Sequence, residues 1–190
     1  LYAAFVQAVY PEKEYILNRS EVRCGTTPEA YNSLLDGKAD VIFCAAPSAS
    51  QVEEAAKIGK TFHMTPVGRE AFVFFANKDN PVKGLTVQQI KDIYSGKIKN
   101  WKELGGKNDE IKAYQRPKNS GSQTMLEYIM GDTPLMPALE TEMATGMGDI
   151  INYTADYKNY KNAIGYSFLF FATEMVQNNQ IEVLKVNGVY

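Results

Sequence analysis

The chain has 190 residues, enough to bury a core as one large or two small domains. Its 20 basic and 22 acidic residues leave a net charge of −2, so no global field recruits nucleic acid or an acidic membrane. No run approaches the roughly 18 apolar residues of a membrane span, and a single histidine without a C-x-x-C pair or H-E-x-x-H leaves a metal site short of ligands.

The apolar pattern predicts a helix over 1–10, a strand over 21–24, and a helix over 27–36 capped by Thr26 or Thr27 and stopped by Gly37. A buried strand over 41–45 leads through a P-S-A-S turn into a helix from about 51 to 58. Strands follow over 63–67 and 71–77, the second apolar enough to be central. A short helix over 86–94, a strand over 112–114 and a helix over 121–130 come next. Polar helices near 137–144 and 148–153 precede a strand over 163–168, a helix over 172–178 and a last strand over 182–186. Alternating strands and helices predict an α/β fold with mostly parallel sheets and flanking helices. No repeat or Pro/Ser linker marks off independent domains.

Residues 116–131, R-P-K-N-S-G-S-Q-T-M-L-E-Y-I-M-G, carry the most chemistry. A turn-forming polar run opens directly into a helical pattern with Met125, Ile129 and Met130 on its apolar face. A helix start leaves N–H groups without intrahelical partners and concentrates partial positive charge there. Gly121 permits close approach to the main chain, Ser120, Ser122 and Thr124 supply hydroxyls, and Arg116 offers a two-pronged guanidinium to an oxyanion. These are the parts of an anion site at a helix N-terminus. They are equally the parts of an ordinary N-cap beside a surface arginine.

The segment resembles the arginine-x-x-x-serine-glycine-threonine loop of the phosphate-binding proteins of ABC importers, with Arg116, Ser120, Gly121 and Ser122 on the motif positions. Three further blocks resemble that family in order and spacing. These are I-Y-S-G-K-I-K-N-W at 93–101, like "F-x-G-x-I-x-N-W"; A-I-G-Y at 163–166, like its return strand; and 72–82, ending K-D-N-P-V, like its first crossing strand. The resemblance implies a two-lobed, periplasmic-binding-protein-like fold with the ligand cleft between lobes. It places 1–74 plus 170–190 in the first lobe and 75–168, with the anion loop, in the second.

The function implied is capture of inorganic phosphate, or a similar oxyanion, for an ABC permease, with no cofactor, metal or nucleic acid. The implied location is the periplasm or, for a lipoprotein, the cell surface, after export by a signal outside this stretch. The resemblance also suggests a core fragment lacking a first strand and C-terminal helices, whose open sheet edge invites a dimer. Thr26, Thr27 and Ser48 fall where the family brings its first-lobe loops to the ligand. Two positions depart from the pattern. Around Ala46, where these phosphate binders usually place an aspartate, there is no acid, and Asp40 lies too far back to substitute. Lys118 stands where an acid is common. Both changes favour a more highly charged anion, or an anion without a donatable proton.

Cys24 and Cys44 fall near the ends of neighbouring strands in this topology, as a disulfide or as two small buried hydrophobes. A sensory or interaction module with the same fold and a changed or lost ligand is the alternative function. A hydrolase using Cys24 or Cys44 with His63, or Ser120 or Ser122 as nucleophile, is disfavoured: no G-x-S-x-G elbow exists, and His63 lies in an apolar F-H-M-T run.

Overall fold

The computed structural model describes residues 25–138, 161–175 and 178–189. The expected helices over 1–10, 137–144 and 148–153, the strand over 21–24 and Cys24 lie wholly or largely outside them. Packing divides the chain into two compact units, Leu1–Met64 and Thr65–Tyr190.

In the first unit, α1 (Thr27–Leu35) and α2 (Ala49–Lys57) are each set by a capping box. Thr26 Oγ1 accepts from Glu29 N at 3.4 Å while Thr26 N donates to Glu29 Oε2 at 2.6 Å, satisfying two otherwise orphaned donors. Gly37 ends α1 in the left-handed region at φ 70°, which glycine adopts without steric cost. Ser48 and Gln51 repeat the reciprocal arrangement at α2. Tyr31 ties α1 to the following loop through its hydroxyl, which donates to Ala45 O at 2.8 Å, and stacks edge-on against Phe62.

The cap at α1 carries a pH signature. The Thr26 backbone N–H and hydroxyl both donate to Glu29, holding its carboxyl below the usual 4.5. A lowered carboxyl adds stability above its unfolded value, and that contribution disappears as pH falls through the folded value. Glu29→Gln is therefore expected to melt earlier than the parent near neutral pH, with the gap closing as pH falls through the folded value. A gap that persists unchanged in acid would show that the carboxylate charge is not its source.

The expected strands over 41–45 and 63–67 do not form. Val41, Phe43, Met64 and Val67 are exposed. A strand needs a neighbouring strand for its N–H and C=O groups, and among the described residues neither segment joins a sheet.

The second unit is built on β1 (Phe72–Asn77), the expected central strand. A four-stranded sheet runs in the order β3–β4–β1–β5, with β3 Lys112–Ala113, β4 Ala163–Phe168 and β5 Ile181–Val183. A smaller ladder joins β2 (Gly84–Leu85) to β6 (Lys185–Val186). The pairing is mixed: β1 runs antiparallel to β4 and to β5, whereas β3–β4 and β2–β6 are parallel. A chain that leaves along one strand and returns along its neighbour must pair antiparallel.

Helices α3 (Val87–Tyr94) and α4 (Gly121–Met130) follow the expected bounds closely. The core gathers Phe74, Phe75, Ile90, Tyr94, Trp101, Leu126 and Tyr166, all at most 2% exposed. Tyr166 stacks on Phe74 and Tyr94 at 5.7–6.2 Å between ring centroids, within the favourable range for aromatic pairs.

The end of the chain differs from expectation in two ways. The helix over 172–178 appears as a π-helical turn, Phe171–Met175. Thr173 Oγ1 donates back to Leu169 O at 3.0 Å, a local bond that competes with regular helix. The single strand over 182–186 is split at buried Leu184, whose N–H donates to Phe74 O while Lys185 N donates to Lys83 O, so the chain changes ladders there. Because β5 and β6 pair with β1 and β2, 181–186 packs within the second unit. All of β1 likewise lies within the second unit.

Candidate functional site

The loop before α4 is a tight turn. Pro117 follows Arg116 and biases it toward extended backbone. Ser120 N donates to Pro117 O at 3.2 Å, and Asn119 takes φ 68°, a left-handed conformation that asparagine tolerates better than most residues. This turn brings the start of α4 back beside Arg116. Arg116 Nη1 donates to Ser122 Oγ at 3.2 Å, so guanidinium and helix N-terminus share one place.

Ser120 is the N-cap of α4, with S-x-x-Q at 120–123 reading as a capping box, yet its side chain makes no cap hydrogen bond. Its hydroxyl is buried and, like Thr124 Oγ1 one turn on, has no hydrogen-bond partner among the described residues. The first intrahelical bond runs from Thr124 N to Ser120 O, which leaves the N–H groups of Gly121, Ser122 and Gln123 outside the helical ladder. Gly121 is buried, and Ser122 is 1% exposed. Burying a hydroxyl without a partner is costly, so an arrangement of this kind fits a group that receives an acceptor on binding. Lys118 is exposed at the turn.

Behind the loop lies a buried polar network that sequence reasoning missed. Arg116 N donates to both Gln123 Oε1 and Tyr166 Oη at 3.0 Å. Gln123 Nε2 donates to Gln115 Oε1 at 3.4 Å, and Gln115 Nε2 to Met136 O at 2.8 Å. The one local signal is the glutamine at the third helical position, which points away from its N-cap. Tyr166 carries no such signal, since its register against Arg116 is set by the β3–β4 pairing.

The first-unit candidates are occupied locally. Thr26 Oγ1 donates to Glu29 Oε2 at 2.9 Å and caps α1, and Thr27 is the first residue of that helix. Ser48 is 3% exposed, caps α2 and shares a hydrogen bond with Ser50 Oγ at 3.1 Å. Cys44 is exposed and unbridged, and desolvation pushes its thiol above the ordinary value, opposite to what an attacking thiolate requires. A cavity of about 450 Å³ lies between β2, β6 and the start of α3, lined by Lys83, Thr86, Lys185 and Asn187, away from the loop. Among the described residues no His/Cys/Asp/Glu cluster suits a metal, and no helix is long and apolar enough to cross a membrane.

The family model of the PBP superfamily domain matches residues 3–188. The phosphate-binding protein PstS of Bacillus subtilis (strain 168) is 32% identical over 114 residues, covering 60% of this chain and 35% of that protein. PstS of Staphylococcus epidermidis is 27% identical over 148 residues, covering 75% of this chain and 44% of that protein. The chain thus spans less than half the length of these relatives. Among solved structures, a Clostridium perfringens protein described as a phosphate ABC transporter substrate-binding protein with bound phosphate superposes with a TM-score of 0.71 at 24% identity, covering 97% of this chain and 73% of that one. An ABC-type phosphate transport receptor from Vibrio cholerae gives 0.64 at 19%, covering 100% and 75%. These likenesses show the fold. Neither relatives nor structural neighbours support the dimer expected through an open sheet edge.

Proposed function

The chain belongs to the PBP superfamily, and from that premise we propose that it captures an oxyanion, inorganic phosphate first, at the N-terminus of α4. The observation that carries the reading is the buried Ser120 hydroxyl, which neither caps its helix nor meets another partner among the described residues, next to an arginine held by Ser122. An anion there would accept from Ser120 Oγ, from the N–H groups of Gly121 and Ser122, and from the Arg116 guanidinium. Phosphate is favoured because the relatives carry that name and the Clostridium perfringens structure holds it.

The partner under this reading is an ABC permease, and the chain acts outside the membrane, periplasmic or tethered as a lipoprotein. Thr26, Thr27 and Ser48, at the starts of α1 and α2, are the further candidates for anion contact. The protein acts as a binder and not as an enzyme. One observation favours a second anion: no acid stands between Cys44 and Ser48, and Lys118 adds positive charge at the loop. Sulfate therefore belongs beside phosphate, arsenate, molybdate and small carboxylates in a thermal-shift screen, where a bound anion raises the melting temperature by mass action. If no oxyanion raises it, the reading fails.

Two side-chain deletions test the geometry. Ser120→Ala and Ser122→Ala are each expected to weaken phosphate binding by about 1.5–3 kcal/mol, the scale of a hydrogen bond to a charged group. Ser122→Ala should have the larger effect, because it also releases Arg116 Nη1. Unchanged affinity in both variants would leave the main-chain N–H groups as the only donors on that side.

A further inference from the structure

Two buried tyrosines sit together in the second unit, Tyr94 of α3 and Tyr166 of β4, with ring centroids 5.7 Å apart. Their hydroxyls differ. Tyr94 Oη has no hydrogen-bond partner among the described residues. Tyr166 Oη accepts the Arg116 N–H at 3.0 Å and donates to Gln123 Oε1 in a short hydrogen bond. Gln123 Oε1 accepts the same Arg116 N–H at 3.0 Å. Desolvation pushes the Tyr166 phenol above its ordinary range, so it remains a neutral donor. One main-chain N–H is thus clamped by two buried acceptors, one on the return strand and one on the helix that begins the site.

We propose that the Tyr166 hydroxyl, with Gln123, is the positioning group of the anion loop: it locks the Arg116 main chain to strand β4 and thereby places the guanidinium beside the N-terminus of α4. The proposal rests on the oxyanion reading of that site and adds to it a residue that acts through Arg116. The guanidinium stands at the end of a long side chain, so any freedom at its Cα is magnified where the charge must sit. A donor already held in place costs less to order when the ligand arrives. Tyr166 and Gln123 are both buried, and in such surroundings each hydrogen bond is stronger and its loss more costly.

The test compares Tyr166→Phe with Tyr94→Phe in the full chain. Both remove one buried hydroxyl from the same aromatic cluster, but only the first takes an acceptor from Arg116. Phosphate affinity is read by calorimetry, global stability by thermal melting, and the lock itself by amide hydrogen exchange at Arg116 without ligand. Tyr166→Phe is expected to weaken phosphate binding about tenfold, the equivalent of one hydrogen bond, and to speed exchange at Arg116. Tyr94→Phe is expected to change neither. Parent-like affinity and parent-like Arg116 exchange in Tyr166→Phe would overturn the proposal. So would equal losses in both variants, because the hydroxyls would then matter only to packing. If the parent binds no oxyanion, the functional reading falls instead, and Arg116 exchange still decides whether Tyr166 holds the loop.

Discussion

Arg116→Lys is expected to lower phosphate affinity by more than about tenfold while the fold stays intact, because lysine keeps the charge but loses the planar fork. In the structure one arm of that fork is already committed, Nη1 to Ser122 Oγ at 3.2 Å. A guanidinium can hold Ser122 and still present other N–H groups to an anion, whereas one ammonium cannot reproduce both directions. Each hydrogen bond to a charged group is worth about 1.5–3 kcal/mol, so losing one corresponds to roughly 10- to 150-fold. Arg116→Ala, which removes the charge as well, is expected to bind more weakly still. The measurement is calorimetry of parent and both variants at a single ionic strength, because screening alters charged contacts by itself. Equal affinity for parent and Arg116→Lys would remove Arg116 from the site.

The largest effect on stability is expected at Trp101. This indole is 1% exposed, opens the short 3-10 turn Trp101–Leu104, and donates from Nε1 to Asn162 O at 2.7 Å, just before β4. Gly106 packs so closely that a Cβ there would lie 3.0 Å from both Trp101 Cβ and Trp101 O. Trp101→Ala therefore opens a cavity that the turn cannot easily fill, at a cost of about 3–5 kcal/mol. Domains of this kind are stable by about 5–15 kcal/mol, so the change consumes much of the margin. Trp101→Phe keeps most of the apolar volume, loses the bond to Asn162, and should fall between parent and alanine. Urea unfolding followed by circular dichroism is the suitable readout, since the substitution deletes the chain's single tryptophan. A cost below about 1 kcal/mol for the alanine variant would mean that the turn contributes little to holding β4.

Elements governed by neighbours along the chain are legible in the residues themselves. Thr26 and Gly37 bracket α1, and the limits of α4 and β4 coincide with expectation. Capping boxes, glycine stops and apolar periodicity act over three or four residues, which sequence displays directly. The grouping of Arg116, Ser120, Gly121 and Ser122 is legible for the same reason: they lie within one turn and its helix start.

What sequence does not display is non-local. Residues 41–45 and 63–67 have strand-like composition, yet composition supplies no partner strand, and among the described residues neither segment joins a sheet. The split of 182–186 at Leu184 depends on two different neighbours, β1 and β2, lying about 100 residues earlier. The antiparallel meeting of β1 with β4 depends likewise on a returning chain. Tyr166 shows the division most sharply. Its place in A-I-G-Y marks a strand, but its hydroxyl meets Arg116 N only because β4 lies beside β3 and α4 packs against them. Residue type and short spacing thus determine the caps, the helix starts and the gathering of guanidinium, hydroxyls and free helix N–H groups at 116–124. Which buried groups hold that chemistry in place is decided by strand register and packing, because those contacts join residues that no local pattern connects.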